Sequence, residues 1–214
     1  MIYSVSQIET DVRVVLDENK VSVQLAMLGD VDTLSVTEIV RSKIQDAARY
    51  CMQTAPLHLL DNGYPINAEP VWDVAEGKGS GYLPLPDDFL RLRAFRMSDW
   101  ERTVSEAITE DSPSYALQSS RYAGVRGNPQ KPVVAVSVSR PEGLVLEFYS
   151  CNGGRGTHVQ SARYLRIPEI EGDSIDFCPR LRSAVVYYAA YLVALTVKDD
   201  NAQNLLQQSK EFMQ

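Results

Sequence analysis

The feature that most constrains this chain is a change of apolar period along it, with helical spacing at both ends and alternation with turn chemistry in the middle. Near the start, Ile8, Val12, Val15 and Leu16 make one apolar stripe over residues 5–17, and Ser4 with Gln7 has capping-box spacing. A second helix over 35–54 opens with Ser35 and Glu38, a hydroxyl and a carboxylate three residues apart that can satisfy each other's backbone amides. It turns Ile39, Ile44, Ala47, Ala48 and Cys51 to one side. Between these helices Val21, Val23 and Leu25 alternate within 20–28, which fits a short strand or a loop packed on the body. Pro56 ends the second helix or bends it sharply, because proline lacks an amide donor and restricts the residue before it.

From 61 to 81 the composition turns to Asn-Gly, Tyr-Pro, Glu-Pro and the run Gly77-Lys78-Gly79-Ser80-Gly81, which predicts turns and an exposed loop. That run is not a phosphate loop. A Walker loop needs glycine five positions before its Gly-Lys pair and Ser or Thr just after it, whereas Trp72 and Gly79 stand there. Residues 82–168 read as strands and turns. Leu90, Leu92 and Ala94 alternate with Arg91 and Arg93, predicting one core face and one outward face. Val134, Val136 and Val138 share a side in the same way. Pro141-Glu142-Gly143 makes a turn before 144–149, so these two runs predict a hairpin. Cys151 to Gly156 is a connection, and Ala162, Tyr164 and Arg166 continue the sheet.

Helical period returns at the end. Pro179 suits a first helical turn, and Leu181, Val185, Tyr188, Leu192 and Leu195 make a 4,3,4,3 packing stripe. Lys198 sits near that helix's end, Asp199-Asp200 begins a bend, and Ala202, Leu205, Leu206 and Phe212 allow a last helix. The predicted fold class is therefore α+β: an antiparallel helical bundle with a β-rich insertion between its N-terminal and C-terminal helices. In segments, 1–60 is the first part of the helical body, 61–81 a turn-rich linker and 82–170 the insertion. Residues 171–198 are the second part of the body, and 199–214 a C-terminal helix or docking arm.

Composition enters as a set of exclusions. The formal charge of -7 offers no general attraction to nucleic acid or acidic lipid, although arginines gather in the middle. The most apolar stretch, 177–197, is interrupted by Arg180, Arg182 and tyrosines, short of the roughly 20 apolar residues of a membrane span. Residues 1–4 carry no basic leader or apolar run of signal-peptide type, an expectation of cytosolic synthesis. Cys51, Cys151 and Cys178 show no CxxC pair or dense disulfide spacing, so they are expected reduced and partly buried. His58 and His158 lack metal-ligand spacing, and no nucleophile elbow is present. No metal, cofactor or catalytic set is predicted, and the expectation is not an enzyme.

Asp87-Asp88 is the conspicuous acidic pair. It reads as the cap of a turn that Phe89 anchors to the core, with a cation site as the competing use. Arg91, Arg93 and Arg96 can contact phosphates, with Phe95 and Trp100 as stacking surfaces. The same residues suit sheet packing or a protein interface, so a nucleic-acid-binding module is the alternative function.

Leu83-Pro84-Leu85-Pro86-Asp87-Asp88-Phe89-Leu90-Arg91-Leu92, followed by Met97-Ser98-Asp99-Trp100, resembles the central signature of tailed-phage head-to-tail connector, or adaptor, proteins. Asp46-Ala47-Ala48-Arg49-Tyr50 and Tyr187-Tyr188-Ala189-Ala190 extend the resemblance in order along the chain. It is also similar to adaptor or ring proteins of podovirus-like phages of gut Bacteroidales hosts. The resemblance implies a homo-oligomeric ring, dodecameric in the family. This ring sits between the portal protein and a downstream tail or second-ring protein, and DNA passes through it without sequence-specific binding. It implies synthesis in the infected host's cytoplasm, assembly at the portal-tail junction of the virion, and no membrane partner. Carried to this sequence, Leu205, Leu206 and Phe212 become candidate portal-docking residues on 199–214, with packing on their own subunit as the other reading. Asp87, Asp88, Phe89 and Trp100 become anchors of the insertion.

Overall fold

A computed structural model describes residues 1–18, 36–73, 79–120, 122, 124–152 and 156–214. In chain order they form β1 (Ile2–Ser4), α1 (Val5–Glu18), α2 (Val36–Thr54), β2 (Tyr64–Pro65), β3 (Val71–Trp72), β4 (Gly81–Pro84), β5 (Phe89–Met97) and β6 (Ile108–Thr109). There follow α3 (Pro113–Leu117), β7 (Val134–Arg140), β8 (Gly143–Phe148), β9 (Val159–Arg166), β10 (Ile170–Glu171), β11 (Ser174–Asp176), α4 (Arg182–Thr196) and α5 (Ala202–Glu211). N- and C-terminal helices thus flank a central β-rich region, the α+β arrangement expected from the period. The alternating stretch 20–28, Ser35 and the Gly77-Lys78 pair lie outside the described residues.

Two compact units divide the chain, residues 1–61 with 167–214, and residues 62–166. In the first, α4 is the central helix, packed against α1, α2 and α5. Ala184, Val185, Ala189, Ala190 and Val193 are buried together with Ile8, Val12, Ile44, Ala47 and Leu205. Small alanines on α4 let neighbouring helices approach closely. The 4,3,4,3 stripe predicted on α4 is corrected here: Leu181 and Val185 are buried, but Tyr188 and Leu192 are only half-buried and Leu195 is 47% exposed. A helix apolar on all sides has no unique stripe, so spacing alone could not choose its inner face.

The period did not reveal the small sheet β1-β11-β10, which joins the N-terminal strand to the stretch just before α4 through Ile2↔Asp176 and Tyr3↔Ile175. Each of these strands has two or three residues, too few for an alternating signal. Its hairpin tip begins the next element: Ser4 Oγ accepts from the Gln7 amide at 3.3 Å, as the capping spacing predicted, and Asp173 holds the amide of Ser6. Pro56 follows α2 as expected, at the start of a 3-10 turn over Leu57–Leu59.

The second unit holds the sheets β2-β9-β5 and β3-β4-β8-β7-β6. Their side chains share one core: Leu92, Phe95, Met97, Ala162 and Tyr164 from the first, and Leu83, Val134, Leu146 and Phe148 from the second. The stretch 61–81 contributes β2 and β3 to these sheets. The hairpin β7–β8 forms with Arg140 opposite Gly143, whose φ of 87° suits glycine at the turn's end. Two alternations are corrected. On β5, register shifts between Phe89 and Arg91 and between Leu92 and Ala94 replace the expected Leu90/Leu92/Ala94 face with buried Leu92, Phe95 and Met97. On β7, a shift between Ser137 and Arg140 leaves Val138 65% exposed while Val134 is buried. An extra residue in one strand reverses which side every later side chain takes.

Candidate functional site

The predicted insertion anchor is a β-turn in which the Phe89 amide donates to Pro86 O at 3.0 Å. Its two carboxylates differ: Asp87 is exposed, whereas Asp88 accepts from the Tyr164 hydroxyl at 2.8 Å. Phe89 stacks on the same tyrosine, with ring centroids 5.9 Å apart and planes at 18°. Burial first, and then the Asp88 carboxylate, push the Tyr164 phenol up to about 12. Trp100 lies deeper in the unit, edge-on to Phe95 at 5.4 Å, with its indole N–H donating to Ser150 O at 3.1 Å. Asp88 and Trp100 therefore serve two different parts of one core.

The arginines named for nucleic-acid contact are employed within the chain. Arg96 Nε donates to Trp100 O at 3.2 Å, and Arg91 and Arg93 also have partners of their own. Phe95 and Trp100 are 0% and 2% exposed, which fits the packing reading of these residues and sets aside their alternative use as stacking surfaces for bases. A buried ring cannot slide under a base without dismantling its own core.

On 199–214 the three candidate docking residues separate. Leu205 is 1% exposed within its own unit, Leu206 is half-buried, and Phe212 is 48% exposed against Tyr187, with centroids 5.2 Å apart. Ser209 fixes α5 to α4 by donating its hydroxyl to Ala184 O at 2.9 Å. The physical cause is the hydroxyl's need for an acceptor once buried, which the helix backbone at an alanine can supply. Leu205 is consequently unavailable as an anchor for a partner while α5 is seated.

The most concentrated polar chemistry escaped the spacing argument. Glu147, 3% exposed on β8, points to the side opposite Leu146 and Phe148. Its carboxylate accepts from Arg140 Nε at 2.8 Å, from the Tyr115 hydroxyl at 2.9 Å and from the Tyr149 hydroxyl. Arg140 forks onto Asp73 at 3.0 and 3.1 Å and lies over the Tyr82 ring at 4.9 Å. Burial and the adjacent carboxylate push the Tyr149 phenol well up. A fully partnered buried charge of this kind holds β7, β8, α3 and Asp73 in one geometry. The clue in the sequence was one acid inside the apolar run 144–149.

His58 and His158 are both exposed, and no group of three or more His, Cys, Asp or Glu able to hold a metal occurs among the described residues. The cysteines are buried and free, and burial pushes Cys51 and Cys151 up to about 12. Among the described residues no helix is long and apolar enough to cross a membrane. Comparison with family models and with curated proteins gives no match for this chain.

Proposed function

We propose that this chain is a structural assembly protein, a ring-forming adaptor between a phage portal and tail through which DNA passes. The observation that carries the reading is that the residues of the connector resemblance are structural nodes in both units. In the first unit, Tyr50 and Tyr188, one from each helical part of the resemblance, stack with centroids 4.0 Å apart and planes at 7°. In the second, Leu83, Leu92, Met97 and Trp100 are buried in the shared core, and the Asp87-Asp88 turn connects β4 to β5. The formal charge of -7 favours passage of DNA with little adhesion.

Work of this kind is geometric: many weak, identical contacts become strong when a ring engages a ring. The portal-facing residues of 199–214 are then Phe212 and Leu206, since Leu205 is committed to its own unit. Imaging the purified protein alone and with portal rings tests the proposal. Closed rings, formed spontaneously or on the portal, are expected, and a persistent monomer that leaves portal rings bare would overturn it.

A further inference from the structure

We propose that Glu110 is a stop on the open edge of β7, a side chain that keeps a strand-pairing segment from adding other chains. Residues 133–139 read Val-Val-Ala-Val-Ser-Val-Ser, seven residues with four valines and no charge, proline or glycine. Segments of that length and composition stack strand on strand wherever an edge is left open. In the fold, β8 pairs with one edge of β7 from Val134 to Ser137 and again at Arg140. The other edge receives only the two residues of β6, Ile108 opposite Ala135 and Thr109 opposite Val136.

Beyond Thr109 the backbone leaves the sheet, and the Ser112 amide donates back to Thr109 O at 2.9 Å. Just past the end of β6, Val138 is 65% exposed and Ser139 is exposed as well. A side chain continues where the backbone stops. Glu110 Oε1 accepts from the Val138 amide at 3.0 Å and from the Ser137 hydroxyl. Ser137 Oγ in turn accepts from the Ser139 amide at 3.1 Å and lies 2.7 Å from Ser139 Oγ. The amides of Val138 and Ser139, the donors left past the end of β6, are thus taken from within the chain.

The Ser137 hydroxyl first, and then the Val138 amide, hold the Glu110 carboxyl below its ordinary 4.5, so the stop is charged at neutral pH. A strand pairing here would have to displace that carboxylate and strip water from it, a cost that sheet edges use against unwanted partners. Ring assembly through native surfaces needs no such pairing, so the inference stands apart from the adaptor reading.

The test follows thioflavin T fluorescence and light scattering of the full-length chain at neutral pH. It compares wild type, Glu110→Ala and, as an equal loss of charge at a nearby exposed acid, Glu106→Ala. Glu110→Ala should start with the wild-type circular dichroism spectrum and develop a thioflavin T signal several-fold above wild type, whereas Glu106→Ala should not. The double variant Glu110→Ala with Val138→Lys returns a charge to the edge without returning the hydrogen bonds. It should fall back to the wild-type signal while melting no higher than Glu110→Ala. An unchanged signal in Glu110→Ala overturns the inference, as does an equal rise in Glu106→Ala, which would make net charge the cause. A Glu110→Ala signal that Val138→Lys leaves in place also overturns it, because loosened folding rather than an open edge would then feed the association. Rings of native subunits lack the stacked strands that the dye reports, so failure of the adaptor reading and failure of this one are read separately.

Discussion

The carboxylate of Asp173 accepts two hydrogen bonds from Ser6, from its amide at 3.1 Å and from its hydroxyl at 2.7 Å. A second oxygen accepts from Ser4 Oγ at 2.8 Å, and the Asp173 carbonyl receives the Val5 amide at 2.9 Å. The open N-terminal amides of α1 are thus closed by a residue 167 positions further along the chain, and the helix's positive end favours the anion.

These bonds from Ser6 and Ser4 hold the Asp173 carboxyl below its ordinary 3.8. A carboxyl depressed on folding adds stability that is present above its unfolded pKa and is lost as pH falls through the lower folded value. Asp173→Ala should lower the melting temperature at pH 7, Asp173→Asn should lower it less, and the gap between wild type and Asn should shrink below about pH 4. Thermal melts from pH 7 to 3 measure it.

At the end of α4, Lys198 has φ of 56° while Asp199 and Lys198 donate to Ala194 O at 2.9 Å and Leu195 O at 3.3 Å. This is a Schellman ending with a side chain where glycine is usual. Lys198→Gly should stabilise the protein by about 0.5–1 kcal/mol in urea titration, despite losing a cation near the helix end.

Gly63 has φ of 67°, and a Cβ there would press into the Tyr164 carbonyl. Gly63→Ala should cost about 2–4 kcal/mol, combining backbone strain and overpacking. Gly124, with nothing within 4 Å, is the comparison: Gly124→Ala should stay within about 0.5 kcal/mol. Chemical denaturation of both variants separates the outcomes.

Removing the Arg140 guanidinium would strand Glu147, whose side chain is 4% exposed, while Arg140 itself is 30% exposed. Arg140→Met should destabilise by about 2–4 kcal/mol, below the fully buried case because water reaches the arginine. Glu147→Gln, which keeps shape and most hydrogen bonds, should cost about 1–2 kcal/mol.

Burial that pushes Cys51 and Cys151 up to about 12 leaves little thiolate at pH 8. With Cys178 buried as well, Ellman's reagent should find no fast thiol in the native protein and three after guanidinium unfolding. A fast native thiol would contradict the packing described around these residues.

Much of the frame was legible locally. The stripes of α1 and α2, the stop before Pro56, the Pro86 to Phe89 turn and the β7–β8 hairpin each follow from period or turn chemistry within a dozen residues. The candidate site was less legible. Spacing marked Asp87 and Asp88 alike, yet only Asp88 meets Tyr164, 76 residues away in sequence. Arg91, Arg93 and Arg96 stood out by charge, although Phe95 and Trp100 beside them are sealed in the core. Glu147 was inconspicuous because no spacing rule joins it to Tyr115, Arg140 and Tyr149, and Arg140 in turn reaches Asp73, 67 residues away in sequence.

The sequence by itself determined where helix gives way to strand and back, because backbone period is a local property that side-chain pattern must match. Tertiary structure alone decided that Asp173 caps α1, that bulges turn Phe95 inward, that Leu205 faces its own core and that α4 buries its alanine side rather than Leu192 and Leu195. Those outcomes depend on which distant groups compete for the same buried space, and neither period nor composition records that competition.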